Sequence, residues 1–161
     1  MRTDIDQLRA LADATTTEAL IADISRAVQP LGIDYWFYAV DLPLVNDHPN
    51  QLHIGTYPEA WLRRYVEMDY ISIDPIITHC HDHATPMVWN EAQSHHRRIV
   101  DPHLQKIRHL FSEAKEHGLG CGVSVPLHGP GLSWGLMSFA SHETSSTDYD
   151  ALMAELHLVA H

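Results

Sequence analysis

The sequence has 161 residues, of which 45% are hydrophobic, enough for one domain with a buried core. Ten Lys and Arg against 21 Asp and Glu give a net charge of −11, which argues against nucleic-acid binding by this segment, because phosphate contacts need clustered cations. The longest aromatic and aliphatic run, residues 35–40, is far shorter than the roughly 20 residues that cross a bilayer, and the first residues do not form a signal peptide, so we expect a cytoplasmic protein with no membrane partner.

Apolar periodicity, capping residues and turn residues predict helices and strands along the whole chain. Apolar residues at intervals of three and four indicate helices, and runs of aromatic and branched residues indicate strands. In chain order, the prediction is helices through residues 1–30, strands at 33–40 and 51–56, helices at 57–68 and from 75 onward, an extended segment at 86–89, a polar helix at 91–117 broken near 101–102, strands at 118–127 and 132–141, and a helix at 147–161. This order predicts one domain, residues 1–161, with an α/β/α arrangement around an antiparallel sheet.

The segment 57–75 concentrates aromatic rings and one acidic residue. Tyr57, Trp61 and Tyr65 are spaced i, i+4 and i+8, so a helix would place them on one face. Such a face is compatible with an ordinary core, and Asp74 before a proline is the usual cap of a helix. Together with Trp89, however, these groups are typical of a small-molecule pocket, which is apolar with a few polar tips.

Histidine is the unusual feature of the composition, with 14 in the chain, three of which alternate at His79, His81 and His83. His79 and His83 have the i, i+4 spacing that holds a divalent metal on a helix, so a metal-dependent hydrolase built on this cluster is the alternative function. The cluster lacks one residue of a His-x-His-x-Asp-His motif, and the sequence has no nucleophile elbow, P-loop or dinucleotide fingerprint. We therefore favour a solvated surface for these histidines, without a bound metal.

The ordered set of Trp, Tyr, Asp-Pro and Gly residues resembles the autoinducer-binding domain of LuxR-type quorum-sensing transcription regulators. The matching residues are Gly55-Thr-Tyr57-Pro-x-x-Trp61-x-x-x-Tyr65, Tyr70-x-x-x-Asp74-Pro75, Pro86-x-x-Trp89 and Glu113-Ala114-x-x-x-Gly118-Leu119-x-x-Gly122-x-x-x-Pro126-Leu127. The resemblance covers essentially the whole chain and implies an α-β-α sandwich around a five-stranded antiparallel sheet, with an N-acyl-homoserine lactone buried between the sheet and helices. It implies no catalysis, no cofactor, a homodimer, and DNA binding only through a C-terminal helix-turn-helix domain, which we expect this chain to lack.

The resemblance also implies roles for individual residues. Asp74 is expected to accept the amide N–H of the ligand, and Trp61 to donate its indole N–H to the ring carbonyl. Tyr57 and Ser138 are expected to donate to the amide carbonyl, and Trp89 to pack on the lactone ring. Further expected contacts are Tyr65 near the head group, the pocket positions Leu119 and Ser124, and the acyl-chain wall positions Ile77 and Ala39.

Strand parity supports an inward orientation of Ser138. Alternate residues of a strand share a face, so Ser138 is expected to share its face with Leu136 and Trp134, which are apolar. If Trp134 also faces the pocket, the acyl chain has to be short or bent. The loop at 41–50 receives no site residue.

Overall fold

The computed structural model describes residues 5–40, 52–90, 101–130, 133–142 and 147–161. Its helices are α1 (Ile5–Ala12), α2 (Thr17–Val28), α3 (Glu59–Glu67), α4 (Pro75–Asp82), α5 (Pro102–Glu116) and α6 (Tyr149–Ala160). Its strands are β1 (Tyr35–Val40), β2 (Leu52–Gly55), β3 (Met87–Val88), β4 (Cys121–His128) and β5 (Trp134–Ser141). Among the helices described, none combines the length and apolar character needed to span a membrane.

The five strands form one antiparallel sheet in the order β2-β1-β5-β4-β3. The central strand, β5, places Ser138 opposite Phe37 of β1 on one side and opposite Ser124 of β4 on the other. The predicted α-β-α sandwich around a five-stranded antiparallel sheet is confirmed.

Each face of the sheet supports its own core. Along β5, Leu136 and Ala140 belong to the core shared with α3, α4 and α5, whereas Met137 and Phe139 belong to the core shared with α1, α2 and α6. This alternation follows from the pleat of the strand and agrees with the predicted parity. Burying each such large side chain contributes about 1.5–3 kcal/mol, so both faces are held firmly against their helices.

Most helices begin at or close to the positions predicted from their capping residues. The side chain of Thr16 accepts from the Ala19 amide at the start of α2, and Asp74, Asp101 and Asp148 cap α4, α5 and α6 in the same way. The predicted break near residues 101–102 is therefore the start of α5, and the predicted helical residues 91–100 lie outside the described part of the chain.

The start of α3 differs from the prediction. Pro58 occupies the N-cap position with φ −55° and ψ 130°, so the helix begins at Glu59 and Tyr57 lies outside it. Trp61 and Tyr65 still share a helical face, but Tyr57 reaches the same region from the short connection between β2 and α3. The predicted i, i+4, i+8 face is thus wrong for its first member.

Candidate functional site

A cavity of about 340 Å³ lies between the sheet and helices α3, α4 and α5. This volume is within the range of small-molecule pockets, about 300–1,000 Å³. Its lining includes eight residues that the sequence pointed to: Tyr57, Trp61, Tyr65, Asp74, Ile77, Trp89, Leu119 and Ser138. Ser124, Ala39 and Trp134 are not part of the lining. Trp134 instead sets its ring against His81, with centroids 5.1 Å apart, so it does not limit the cavity as expected.

Asp74 is the buried acidic residue of the cavity, with 7% of its surface exposed. Its Oδ1 accepts the Ile76 amide at 2.8 Å as the cap of α4, and its Oδ2 accepts the Tyr65 hydroxyl at 2.8 Å. Helix capping therefore fixes the carboxyl group in position, and Tyr65 fixes its orientation. The carboxylate retains lone pairs that a ligand N–H or O–H can use.

Burial sets the protonation of Asp74. Removing the carboxylate from water raises its pKa from 3.8 to about 6, although hydrogen bonds from Tyr65 and from the Ile76 and Ile77 amides act in the opposite direction. Asp74 is therefore predominantly ionised near pH 7. In an apolar cavity, an ionised carboxylate is the strongest acceptor that a side chain offers to a ligand donor.

Tyr57 carries a buried hydroxyl for which no hydrogen-bond partner exists among the described residues. Its ring stacks on Phe37, with centroids 5.2 Å apart, and Phe37 in turn stacks on His53 at 6.0 Å. Burial raises the pKa of the Tyr57 phenol far above its usual value, a shift that the nearby Ser138 hydroxyl opposes only in part. A buried hydroxyl rarely goes without a partner, so this group indicates a position for a ligand acceptor.

Trp61 is held by rings on three sides. Its indole lies 5.7 Å from the Tyr65 ring, 6.0 Å from the Tyr70 ring and 5.5 Å from the His117 ring, and 4% of its surface is exposed. Aromatic contacts of this kind contribute about 0.5–1.5 kcal/mol beyond area burial. They fix the plane of the indole, and hence the direction of its N–H.

Trp89, Ser124 and Ser138 form a hydrogen-bonded series across the sheet. The Trp89 indole N–H donates to Ser124 Oγ at 3.0 Å, and Ser124 Oγ lies 2.7 Å from Ser138 Oγ. Ser124 is fully buried, and Ser138 is 5% exposed and lines the cavity. Ser124 therefore does not line the cavity itself but contacts Ser138, which does.

Gly122 allows the close approach of Trp89 to β4. A Cβ at this position would lie 2.8 Å from a carbon of the Trp89 indole and 2.5 Å from the Phe139 carbonyl oxygen. Both distances are shorter than van der Waals contact. The ring can lie flat against the strand because residue 122 has no side chain.

Glu113 joins α3 to α5 beside the aromatic group. Arg64 donates from Nη2 to Oε1 at 2.7 Å and from Nε to Oε2 at 3.0 Å, and the Tyr70 hydroxyl donates to Oε2 at 2.5 Å. His109 lies 3.3 Å from Oε1. The hydrogen bonds from Arg64 and Tyr70 lower the pKa of Glu113 to about 2. Because Tyr70 contacts Trp61, this cluster supports the site from behind.

The histidines at the C-terminal end of α4 and at its C-cap do not assemble a metal site in the described part of the chain. The rings of His79 and His83 stack with centroids 4.6 Å apart, but His79 Nε2 lies 2.7 Å from the Thr85 carbonyl oxygen, and His81 pairs with Asp82. Across the described ranges, no three His, Cys, Asp or Glu side chains are grouped so that they could hold a metal ion. The structure does not favour the alternative of a metal-dependent hydrolase.

The sequence of residues 16–161 matches the family described as the autoinducer binding domain. The chain belongs to this family. Among its curated relatives, the transcriptional activator protein AhyR of Aeromonas hydrophila is 27% identical over 144 residues, which is 89% of this chain and 54% of AhyR. The transcriptional activator protein LuxR of Aliivibrio fischeri is 25% identical over 136 residues, covering 84% of this chain and 51% of LuxR. The chain thus spans about half the length of these two relatives, both of which are named as transcriptional activator proteins.

Solved structures show the same fold for this autoinducer-binding domain. CepR2 from Burkholderia cenocepacia, described as an N-acylhomoserine lactone dependent LuxR family transcription factor, superimposes with a TM-score of 0.72 at 24% identity, over 96% of this chain and 86% of that one. Escherichia coli SdiA gives a TM-score of 0.74 at 24% identity, over 96% of this chain and 61% of that one. One of the SdiA structures is a complex with octanoyl-rac-glycerol.

Several lining residues of the autoinducer-binding domain were missed by sequence reasoning. They are apolar or lie at the rim, and are Phe37, His53, Leu62, Val66, Ile71 and Phe111. Val66 is 78% exposed on the same helix as the buried Trp61, so the cavity reaches from a buried polar end to the surface of α3. The helical spacing of Leu62 and Val66, one residue after Trp61 and Tyr65, is the signal that would have found them.

Proposed function

We propose that this domain binds an N-acyl-homoserine lactone in the cavity and thereby controls dimerisation and DNA binding of a longer regulator. The observation that carries the proposal is that one apolar cavity holds the buried Asp74 carboxylate and a buried Tyr57 hydroxyl that has no hydrogen-bond partner among the described residues. The Tyr57 hydroxyl can donate and the Asp74 carboxylate can accept, so a matching ligand presents both a carbonyl oxygen and an N–H. An amide provides both.

The polar groups can be matched one by one to this ligand. Asp74 accepts the amide N–H through a charge-assisted hydrogen bond, and the hydroxyls of Tyr57 and Ser138 donate to the amide carbonyl. Trp61 donates its indole N–H to the ring carbonyl, because an indole nitrogen donates only. Trp89 packs its ring on the lactone, and the aliphatic lining receives the acyl chain.

The lining of the cavity supports the acyl part of the proposal. Three aliphatic side chains of the lining are buried, with exposures of 2% for Leu119, 7% for Ile77 and 3% for Leu136. Burial of a methylene group in such surroundings contributes about 0.8 kcal/mol, so the chain supplies much of the affinity. Tyr65, whose hydroxyl donates to Asp74, forms the wall of the acyl chain near the head group.

A direct test is calorimetric titration of the purified domain with N-octanoyl-L-homoserine lactone and, separately, with octanoyl-rac-glycerol. The two probes share an acyl chain, but the glycerol ester has no amide N–H and no lactone carbonyl. We expect tighter binding of the lactone, and a smaller preference in Asp74→Asn, which loses the acceptor of the amide N–H but keeps Trp61 as the donor to the ring carbonyl. Equal affinities in the wild-type domain would contradict the lactone assignment, and binding of neither probe would contradict the site.

Mass spectrometry of an organic extract of the domain, expressed with and without added lactone, gives an independent check. Buried polar groups without partners cost about 1–3 kcal/mol each, so the domain is expected to retain a matched ligand through purification. Extraction of stoichiometric lactone supports the proposal. A domain that is equally stable and elutes empty from cells supplied with lactone counts against it.

A further inference from the structure

We infer that Ser124 is a positioning residue: by donating to Ser138, it leaves the Ser138 O–H free to donate into the cavity. Ser138 then selects for a hydrogen-bond acceptor on the ligand. The inference rests on the proposed function and assigns a different role to Ser124 from the direct ligand contact that its sequence position implies. It is based on three side chains that form one hydrogen-bonded series: Trp89, Ser124 and Ser138.

The direction of the hydrogen bonds follows from the chemistry of the first member. An indole nitrogen has a proton and no lone pair to offer, so Trp89 donates and Ser124 accepts at 3.0 Å. The Ser124 hydroxyl proton then needs its own acceptor, because the residue is fully buried. Ser138 Oγ, 2.7 Å away on the neighbouring strand, is the acceptor that the described residues provide.

Ser138 is thereby left with a proton to donate. It already accepts from Ser124, and it lines the cavity together with Tyr57, whose hydroxyl is near enough for Ser138 to lower the Tyr57 pKa in part. If Ser138 instead donated to Ser124, the Ser124 proton would be buried with no described acceptor, which is an unfavourable arrangement. The series therefore runs from Trp89 through Ser124 to Ser138 and ends in the cavity.

Two consequences for the ligand follow. The Tyr57 hydroxyl, which has no described partner, and the Ser138 hydroxyl both present a proton to the cavity, so an oxygen acceptor is favoured between them and a ligand N–H is disfavoured. The Trp89 N–H is occupied by Ser124, so Trp89 contributes its ring face and not a hydrogen bond. Neither Trp89 nor Ser124 needs to touch the polar atoms of the ligand to influence selectivity.

The test compares Ser124→Thr with Ser124→Val, since threonine and valine have the same shape and differ by a hydroxyl in place of a methyl group. Affinity for N-octanoyl-L-homoserine lactone is measured by calorimetry in the wild-type and Ser138→Ala backgrounds. In the wild-type background, we expect the Val variant to bind the lactone up to about fivefold more weakly than the Thr variant, which is the loss expected for Ser138→Ala. In the Ser138→Ala background, we expect the Val and Thr variants to bind it with similar affinity. Ser124→Ala, which adds no atoms to a buried site, replaces Val if neither larger side chain folds.

A second measurement needs no ligand. The Trp89 indole N–H resonance, assigned by its loss in Trp89→Phe, is expected to shift upfield in Ser124→Val and to stay near its wild-type position in Ser124→Thr. If the wild-type domain does not bind the lactone, the proposed function fails, and this resonance still tests the hydrogen-bonded series. An unmoved resonance in Ser124→Val, equal affinities of Thr and Val in the wild-type background, or an equal Val penalty in both backgrounds would each overturn the inference.

Discussion

Tyr65 donates its hydroxyl to Asp74 Oδ2 at 2.8 Å, so a residue of α3 orients the carboxylate that caps α4. This hydrogen bond crosses the 3-10 turn at Tyr70–Ser72, which lies between the two helices. Asp74 is consequently fixed from both sides, by its own helix through Oδ1 and by α3 through Oδ2. A preorganised acceptor loses little entropy when a ligand donor arrives, so Asp74 is ready to bind without rearrangement.

Affinity for an amide ligand is expected to rise with pH through the titration of Asp74. Its pKa is raised from 3.8 to about 6 by burial, so the folded domain holds this proton more tightly than the unfolded chain. The contribution of Asp74 to the free energy of unfolding of the ligand-free domain therefore falls as pH rises from about 4 to about 6. Because a ligand N–H requires the carboxylate, affinity should increase up to about tenfold per pH unit below 6 and level off above 7.

This pH dependence is checked by calorimetry with N-octanoyl-L-homoserine lactone between pH 5 and 8. His53 lines the cavity and the ring of His117 lies 5.5 Å from that of Trp61, so the control variant has to keep both side chains. Asp74→Asn retains both histidines and serves as the control. A wild-type profile that the Asn variant reproduces would show that Asp74 is not the group responsible.

Asp74→Asn is expected to weaken lactone binding far more than Ser138→Ala. Asparagine loses the charge-assisted hydrogen bond and can turn its N–H₂ toward the ligand N–H, so a loss of about 2–3 kcal/mol is expected. Ser138→Ala leaves Tyr57 as a donor to the same carbonyl and should cost about 1 kcal/mol. Titrations of the two variants under one condition decide this, and losses of equal size would contradict the assigned roles.

Local rules were enough for the elements and for much of the cavity wall. Three features depend only on residues a few positions apart, and a single sequence contains that information. They are the capping of α4 by Asp74, the shared helical face of Trp61 and Tyr65, and the orientation of Ser138 toward the cavity. The helical periodicity points Tyr57 to the right region for the wrong reason, because Pro58 is the N-cap and α3 begins only at Glu59.

Relationships between distant segments could not be predicted in the same way. Ser124 stands behind Ser138 because the β4–β5 register pairs these two residues, and that register is set by the packing of both sheet faces. Glu113 meets Tyr70 across 43 positions of the chain, and no periodicity connects them. Phe37 enters the lining because β1 lies next to β5, which is a property of the strand order.

Gly122→Ala is expected to displace Trp89. The new Cβ would lie 2.8 Å from the indole and 2.5 Å from the Phe139 carbonyl oxygen, so the ring, the strand or both must move. Overpacking of this kind costs about 1–3 kcal/mol of unfolding free energy, and it should also weaken lactone binding by moving the ring that packs on the lactone. Gly120→Ala, just before β4 and without a positive φ, is the matched control. Unchanged binding in Gly122→Ala would exclude a role for the Trp89 position.

Tyr70→Phe is expected to destabilise the domain by about 1–3 kcal/mol, because it removes a buried hydrogen bond to a charged acceptor. Tyr70 is 2% exposed, and its hydroxyl lies 2.5 Å from Glu113 Oε2. Denaturant unfolding of the ligand-free domain measures the loss. In a Glu113→Gln background the same substitution should cost less, since the charged acceptor is gone. Equal losses in both backgrounds would mean that Tyr70 acts through packing alone.

Trp61→Phe tests whether Trp61 donates a hydrogen bond to the ligand or only packs in the core. Phenylalanine keeps most of the apolar area in contact with Tyr65 and Tyr70 but removes the indole N–H, so the ring carbonyl of the lactone loses its donor. The expected loss is about 1–3 kcal/mol, or about tenfold to a hundredfold in affinity. An analogue with a tetrahydrofuran ring, which lacks this carbonyl, should bind the wild-type domain poorly and the Phe variant equally poorly.

The double cycle of variant and analogue isolates the interaction between the Trp61 indole and the ring carbonyl. Unfolding is measured in parallel to show that the variant folds. Should lactone and analogue lose the same affinity, the indole would be a packing residue and the ring carbonyl would have another partner.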